Sequence, residues 1–292
     1  MRLLQLKTLE FEEFFDDDIP PYAILSHRWS KHEISHKDLR KKRNLTGADY
    51  AKIEGFVAVA QRRLQPAFVP MPSGSLLWLD TQVEWGWQDN VCINNSSSSD
   101  LSEATNSMWR YYENSAFCVV YLADVHRRTK PRCTRLSRKA NGSLEDGRTL
   151  QELLAPANVI FYDQTWNTIG HKCIHYSKSS TDCRCNAGPI LNEVISRAAK
   201  IPIQYLTGLE ELTSVSVACR VSWAAHRKTT RVEDIAYCLL GLFGVHLPPL
   251  YGEGTAAFRR LQEEIVRCSD DQSIFAWFDI GRYLTNNPSH GH

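Results

Sequence analysis

The run Ala116-Phe-Cys-Val-Val-Tyr-Leu-Ala123 is eight residues drawn wholly from the hydrophobic set, with Asn114-Ser115 before it and Asp124 after it. Too short for a core helix and rich in β-branched and aromatic side chains, it reads as a strand buried inside a sheet. Upstream, Leu101, Ala104, Met108 and Tyr111 recur at helical spacing behind the serine run Ser96–Ser99 and Asp100, which supply N-cap chemistry. Further back, Leu76–Asp80 (LLWLD) reads as a second strand, and Ile53, Phe56, Val57, Ala60 and Leu64 mark a helix over Asp49–Gln65. Tyr22–His27 (YAILSH) is the first strand. Downstream, a short helix from Thr149 to Ala155 stops at Pro156, and Val159–Tyr162 forms a fourth strand. Strands alternating with helices imply crossover connections and a mostly parallel sheet.

The second half reads differently. Ser214–His226, Thr230–Phe243 and Gly254–Cys268 all carry helical spacing, with Thr230 and Glu233 placed as a capping box. Between the halves, Lys172–Pro189 is polar, cysteine-dotted and aperiodic, which predicts a loop. The expected organisation is an α/β parallel sheet with flanking helices over residues 1–163, a loop over 164–188, and a mainly helical C-terminal half over 189–292.

Composition narrows the function classes. In 292 residues, 34 Lys and Arg against 33 Asp and Glu leave a formal charge of +1, which offers no electrostatic footprint for nucleic acid. The apolar runs are far shorter than a membrane span, and the first residues hold no signal-peptide core. Nine cysteines, an odd number with several inside apolar stretches, suit reduced thiols in a cytoplasmic protein. His171, Cys173, His175, Cys183 and Cys185 offer zinc donors, but H-x-C-x-H followed by C-x-C fits no ligand scheme, so no metal is expected. Lys37–Arg43 (KDLRKKR) reads as a solvated face, and Tyr251-Gly-Glu-Gly lacks the lysine and glycine pattern of a phosphate loop.

Ligands of open parallel sheets bind beyond the carboxyl ends of the strands. That rule selects Ser26, His27, Arg28 and Trp29 after the first strand, Asp80 after the second and Asp124 after the third. Glu152, on the short helix, joins the same edge. These residues equally serve as caps and edge covers, so spacing alone leaves both readings open.

At these positions the sequence resembles a known family. YAILSHRW (Tyr22–Trp29), LLWLDT (Leu76–Thr81), VCINNSSSSDLSEATNSMWRYYENS (Val91–Ser115), VVYLADV (Val119–Val125) and TLQELLAP (Thr149–Pro156) follow the order of the fungal heterokaryon incompatibility (HET) domain. SWAAHRKTTRVEDIAYCLLGLFGVHLPPLYGEG (Ser222–Gly254) and AFRRLQEEI (Ala257–Ile265) resemble the stretch that follows it in many such proteins. The resemblance implies a cytoplasmic cell-death effector of non-self recognition with a flavodoxin-like sheet similar to Toll/interleukin-1 receptor (TIR) domains. Many TIR domains cleave NAD, with a glutamate on a short helix. The resemblance therefore implies Glu152 as catalytic residue of an NAD glycohydrolase, with Ser26, His27, Arg28, Trp29 and Asp80 binding NAD as substrate and no resident cofactor. The alternative it implies is a non-catalytic adaptor, working by self-association or with another incompatibility protein, without nucleic acid or membrane. Three departures stand out, one being that Pro131–Asp146 lacks the aromatic residues usual ahead of the TLQE stretch. The family reads W-[IL]-D-T-x-C-I without a break, whereas Gln82–Asn90 separates Thr81 from Val91 here. Arg148 stands where the family has tryptophan. On this reading Gln82–Asn90 is a polar, tryptophan-bearing loop lying over the site.

Overall fold

The computed structural model describes residues 1–15, 18–30, 32–43, 45–62, 67–70, 76–79, 83–125, 149–174, 188–225, 227 and 229–277. Seven strands form one sheet: β1 (Arg2–Gln5), β2 (Phe11–Glu13), β3 (Tyr22–His27), β6 (Trp85–Gln88), β7 (Phe117–Leu122), β8 (Val159–Asp163) and β9 (Thr168–Lys172), in the order β2-β1-β6-β3-β7-β8-β9. A separate two-stranded sheet pairs β4 (Ala67–Pro70) with β5 (Leu76–Leu79). The central strands β6-β3-β7-β8 are mutually parallel, while β1 and β9 run antiparallel to them and β2 pairs antiparallel with β1. Numbered by chain order, the parallel core runs second-first-third-fourth, which is the flavodoxin-like arrangement. The α/β fold and parallel core expected from the sequence are present, with three of the expected strands at β3, β7 and β8.

The second strand of the core is a correction. Leu76–Leu79 does form a strand, but it pairs antiparallel with β4, with Leu79 opposite Ala67 and Leu76 opposite Pro70. Its place in the parallel sheet belongs to β6, inside the segment expected to be an inserted loop. Alternation along β6 turns Trp87 toward Tyr111 and Tyr112, with ring centroids 5.6 and 6.1 Å away. Gly86 faces the opposite side, where a Cβ would lie 2.8 Å from both Leu6 Cδ2 and Phe56 Cε1. A side chain at this position would have to push Leu6 and Phe56 out of their packing. Gln82–Asn90 is therefore no lid over the site, because its central residues are sheet core. Read from Trp87, the sequence Trp87-Gln88-Asp89-Asn90-Val91-Cys92-Ile93 has the unbroken W-x-D-x-x-C-I spacing.

Helix α2 (Gly47–Arg62) covers one face of the sheet, packing Phe56, Val59 and Ala60 against Ala23, Leu25, Val119 and Ile160. The other face carries α4 (Ser98–Glu113) and α5 (Thr149–Leu154), packed against Tyr22, Ile24, Cys118 and Val120. The Ser97 side chain caps α4, as its position predicts. Two further short helices are α1 (His36–Arg40) and α3 (Asp89–Cys92). The C-terminal half joins the α4 side as α6 (Asn192–Ala199), α7 (Ile203–Leu206), α8 (Val217–Ser222), α9 (Asp234–Tyr237), α10 (Leu240–Phe243) and α11 (Ala256–Cys268). It is mainly helical, though the expected long helices over Ser214–His226 and Thr230–Phe243 are shorter pieces. The Asn106 amide docks it by donating to the Leu247 carbonyl at 3.0 Å and accepting from the Leu247 N–H at 2.9 Å. Two local expectations are revised. The stretch 164–188 contains strand β9, and Glu233 accepts the Gly252 and Gly254 N–H groups at 2.8 and 3.0 Å, tying down the Tyr251-Gly-Glu-Gly segment. Among the described residues no helix is long and apolar enough to cross a membrane.

Gln88 is 1% exposed, pairs in register with Leu25, and among the described residues neither of its amide atoms has a hydrogen-bond partner. It occupies the position where the family pattern has isoleucine or leucine. A buried amide left unpaired costs about 1–3 kcal/mol, so Gln88→Leu should stabilise the protein by that order. Urea unfolding of both forms at pH 7 checks this, and an unchanged or lower midpoint would contradict it.

Candidate functional site

Strand β3 ends at the carboxyl edge of the sheet with Ser26 and His27, and the strand period of two sends them to opposite faces. Ser26 follows Tyr22 and Ile24 toward α4 and α5. Its hydroxyl donates to Glu152 Oε2, and the Tyr112 hydroxyl donates to Glu152 Oε1 at 3.1 Å. The carboxylate is thus held by a strand and two helices, with Ser26 2%, Tyr112 1% and Glu152 9% exposed. Burial first, and then the Glu152 charge, push the Tyr112 phenol well above its ordinary range. Cys118 and then Asp89 act on the Tyr112 phenol in the same direction. Cys118 on β7 is fully buried nearby, and burial pushes its thiol well above the ordinary range.

His27 belongs to the other face. Its ring is fully buried, with Nε2 3.5 Å from Glu33 Oε2. Glu33 also pairs with Lys52 of α2 and accepts the Ser30 N–H at 2.6 Å and the Asn90 amide at 3.1 Å. This cluster fastens the loop after β3 to the end of β6. Arg28 is exposed on that loop. Trp29 is 40% exposed, and its indole N–H donates to Asp89 Oδ2 at 2.8 Å, bridging the ends of β3 and β6.

The structure therefore brings Ser26 to Glu152, sets Trp29 and Arg28 at the rim, and does not bring His27 into the same cleft. Asp80 and Arg148 lie outside the described residues, as do His175, Cys183 and Cys185. Asp124 follows β7, as expected. His171 and Cys173 are core residues, 2% and 1% exposed. Sequence reasoning missed Asp89, Tyr112, Glu33 and Lys52. The Trp87–Ile93 spacing was the available signal for Asp89, masked by the earlier Trp78-Leu79-Asp80. Nothing local marked Tyr112, whose i, i+3, i+4 neighbours place it on the buried side of an ordinary amphipathic helix.

What the arrangement can do chemically follows from the carboxylate. A buried acid at the carboxyl edge of a parallel sheet, fixed by two hydroxyls, can stabilise positive charge developing on a substrate without reorganising.

Comparison with known proteins adds the family. The profile described as heterokaryon incompatibility protein (HET) matches residues 22–184, and a domain of unknown function (DUF8212) matches residues 256–291. The chain is similar to the vegetative incompatibility protein HET-E-1 of Podospora anserina, with 36% identity over 262 residues, covering 85% of this chain and 16% of that protein. This chain thus spans under a fifth of the length of that curated relative. No solved structure matches.

Glu33 supplies a pH test of the cluster. Burial opposes its charge, but His27, Lys52 and the Ser30 N–H outweigh it and hold the carboxyl at about 2, below its usual 4.5. A depressed acid stabilises the fold fully above 4.5, and that contribution is lost as pH falls toward 2. Glu33→Gln, which leaves Lys52 its Asp49 partner at 3.0 Å, should flatten the loss of stability between about pH 5 and pH 3. Denaturant midpoints across that range would show it, and parallel curves for the two forms would refute the assignment.

Proposed function

The chain belongs to the heterokaryon incompatibility family, and from that premise we propose that it is an effector of fungal non-self recognition that kills by hydrolysing NAD at Glu152. The observation that carries this reading is the Glu152 carboxylate, gripped by Ser26 and Tyr112 at the carboxyl edge of the parallel core. The flavodoxin-like strand order supports it, because that edge is where such sheets take nucleotides. The vegetative incompatibility named for the relative supports the biological setting.

In this reading the bond between ribose C1′ and the pyridinium nitrogen breaks with its electron pair leaving on nicotinamide. The ribose becomes an oxocarbenium-like cation, which the Glu152 carboxylate stabilises as glycosidase carboxylates do. Water then adds to C1′ and loses a proton, giving ADP-ribose. Arg28 faces the solvent side, where the pyrophosphate would lie, and the Trp29 ring offers a stacking surface. His27 acts on the opposite face, securing the loop that carries both.

Glu152→Gln keeps the shape while removing the charge; its carbonyl still accepts from one of the Ser26 and Tyr112 hydroxyls, and the other hydroxyl must turn to accept from the amide NH2. With the purified chain, nicotinamide release from NAD should fall by about a hundredfold or more. In a fungal host the wild type should deplete NAD before cells die, and Glu152→Gln should spare both NAD and viability. Death with undiminished NAD would sink the enzymatic reading and leave a non-catalytic adaptor that assembles with itself or another incompatibility protein.

A further inference from the structure

Lys172 is 2% exposed at the end of β9, among the largest fully buried side chains of the protein. Its Nζ donates to the Leu153 carbonyl at 2.7 Å and the Pro156 carbonyl at 2.6 Å. Both carbonyls belong to the end of α5 and the turn that follows it. At six residues α5 is too short to be stable by itself, and its last carbonyls have no partner within the helix. Pro156 prevents the helix from continuing to satisfy them. The helix is held at its other flank by the Gln151 amide, which donates to the Cys238 carbonyl, and by Leu150 and Leu153 in the core.

We propose that Lys172 is the positioning residue of the Glu152 site: its ammonium gathers the Leu153 and Pro156 carbonyls and so sets the turn from which the carboxylate reaches Ser26 and Tyr112. This inference rests on the NAD-cleaving reading of Glu152. Leu153 is the residue next to Glu152, so a displacement of its carbonyl is passed to the carboxylate through one peptide unit. Displacements of about 1 Å in a reacting group cost about a hundredfold in rate. A methionine would fill the same volume without a buried charge to desolvate, but it would leave the Leu153 and Pro156 carbonyls without a donor. What lysine adds is a fixed, charge-assisted pair of donors, about twice as strong as neutral ones.

The same group carries a pH dependence. Burial pushes Lys172 down to about 7, from an ordinary 10.5. As pH rises through that value the ammonium becomes an amine, and its two hydrogen bonds lose their charge assistance. The ionisable group that acts on Lys172 is Cys118 on β7, which also feels the charge of Glu152 on α5, and Glu152 in turn acts on Tyr112 of α4. Cys118 and Tyr112 are both pushed well above their ordinary ranges and stay protonated through neutrality.

The test uses the full chain, NAD as probe and nicotinamide release from pH 6 to pH 9. Wild-type kcat should fall about threefold or more as pH rises through 7, with KM changing less than twofold. Lys172→Met should lower kcat about 10- to 100-fold at pH 6, again with little change in KM, and abolish the fall with pH. Lys172→Arg keeps charge and donors at every pH, so it should recover kcat and remain flat. Melting curves identify a variant that fails to fold, in which case the wild-type profile decides: a flat kcat overturns the proposal. If the wild type cleaves NAD and Glu152→Gln does not, but Lys172→Met retains the wild-type kcat and profile, Lys172 has no positioning role and the reading of Glu152 stands. If the wild type releases no nicotinamide at any pH, the reading of Glu152 fails and this inference falls with it.

Discussion

Strand β3 is covered on both faces, and that constraint organises the rest of the molecule. Tyr22, Ala23, Ile24, Leu25 and Ser26 are all at most 2% exposed, with β6 on one side, β7 on the other, α2 on one face and α4 with α5 on the other. A strand so enclosed cannot shift by one residue without turning its whole apolar set around. Register fixes where its last two residues go, and Ser26 is delivered to Glu152 as surely as His27 is delivered to Glu33. The carboxyl edge of the sheet thereby acquires two polar clusters, one per face, instead of a single cleft.

Each cluster solves the same problem of keeping charge inside a close-packed interior. Glu33 is surrounded by Lys52, the Ser30 N–H and the Asn90 amide, and Lys52 is balanced further by Asp49. Glu152 takes two hydroxyl donors. Lys172 is buried more deeply still and spends its donors on backbone carbonyls rather than on a carboxylate. Buried groups of this kind need every hydrogen bond satisfied, so they hold loops and short helices in one arrangement. The loop after β3, the start of α3 and the turn after α5 are all secured in this way.

The C-terminal half completes the face that carries Glu152. One continuous apolar cluster runs from Leu3 and Ile24 through Tyr112 and Leu150 to Leu240, Leu261 and Ile274. Gly241 lets α10 approach α4 so closely that a Cβ there would lie 2.2 Å from Trp109 Cβ. The Gln151 amide, adjacent to Glu152, reaches across to the Cys238 carbonyl. The helical half therefore supports the short helix that bears the candidate catalytic acid. It draws its own rigidity from Glu233 on the Gly252 and Gly254 N–H groups and from Tyr251 on Asp234 at 3.0 Å.

The sequence by itself determined the parallel α/β core, because Tyr22–His27, Ala116–Ala123 and Val159–Tyr162 are short apolar runs whose neighbours repeat at helical spacing. It also placed Ser26 and Glu152 at the strand ends together with His27, Arg28, Trp29, Asp80 and Asp124, and only the family resemblance set Glu152 apart from the rest. What it could not decide was which of two tryptophan- and aspartate-bearing segments enters the sheet. Leu76–Leu79 is the more apolar and was read as core, yet Trp85–Gln88 takes that place even though it carries Gln88. Membership in a sheet is decided by what each side chain meets, here Gly86 under Leu6 and Phe56 and Trp87 against Tyr111 and Tyr112. The same holds for Tyr112, Glu33 and Lys172. Their partners are 40, 19 and 19 residues away or the product of neighbouring strands, and only the packed chain brings those groups within hydrogen-bonding distance.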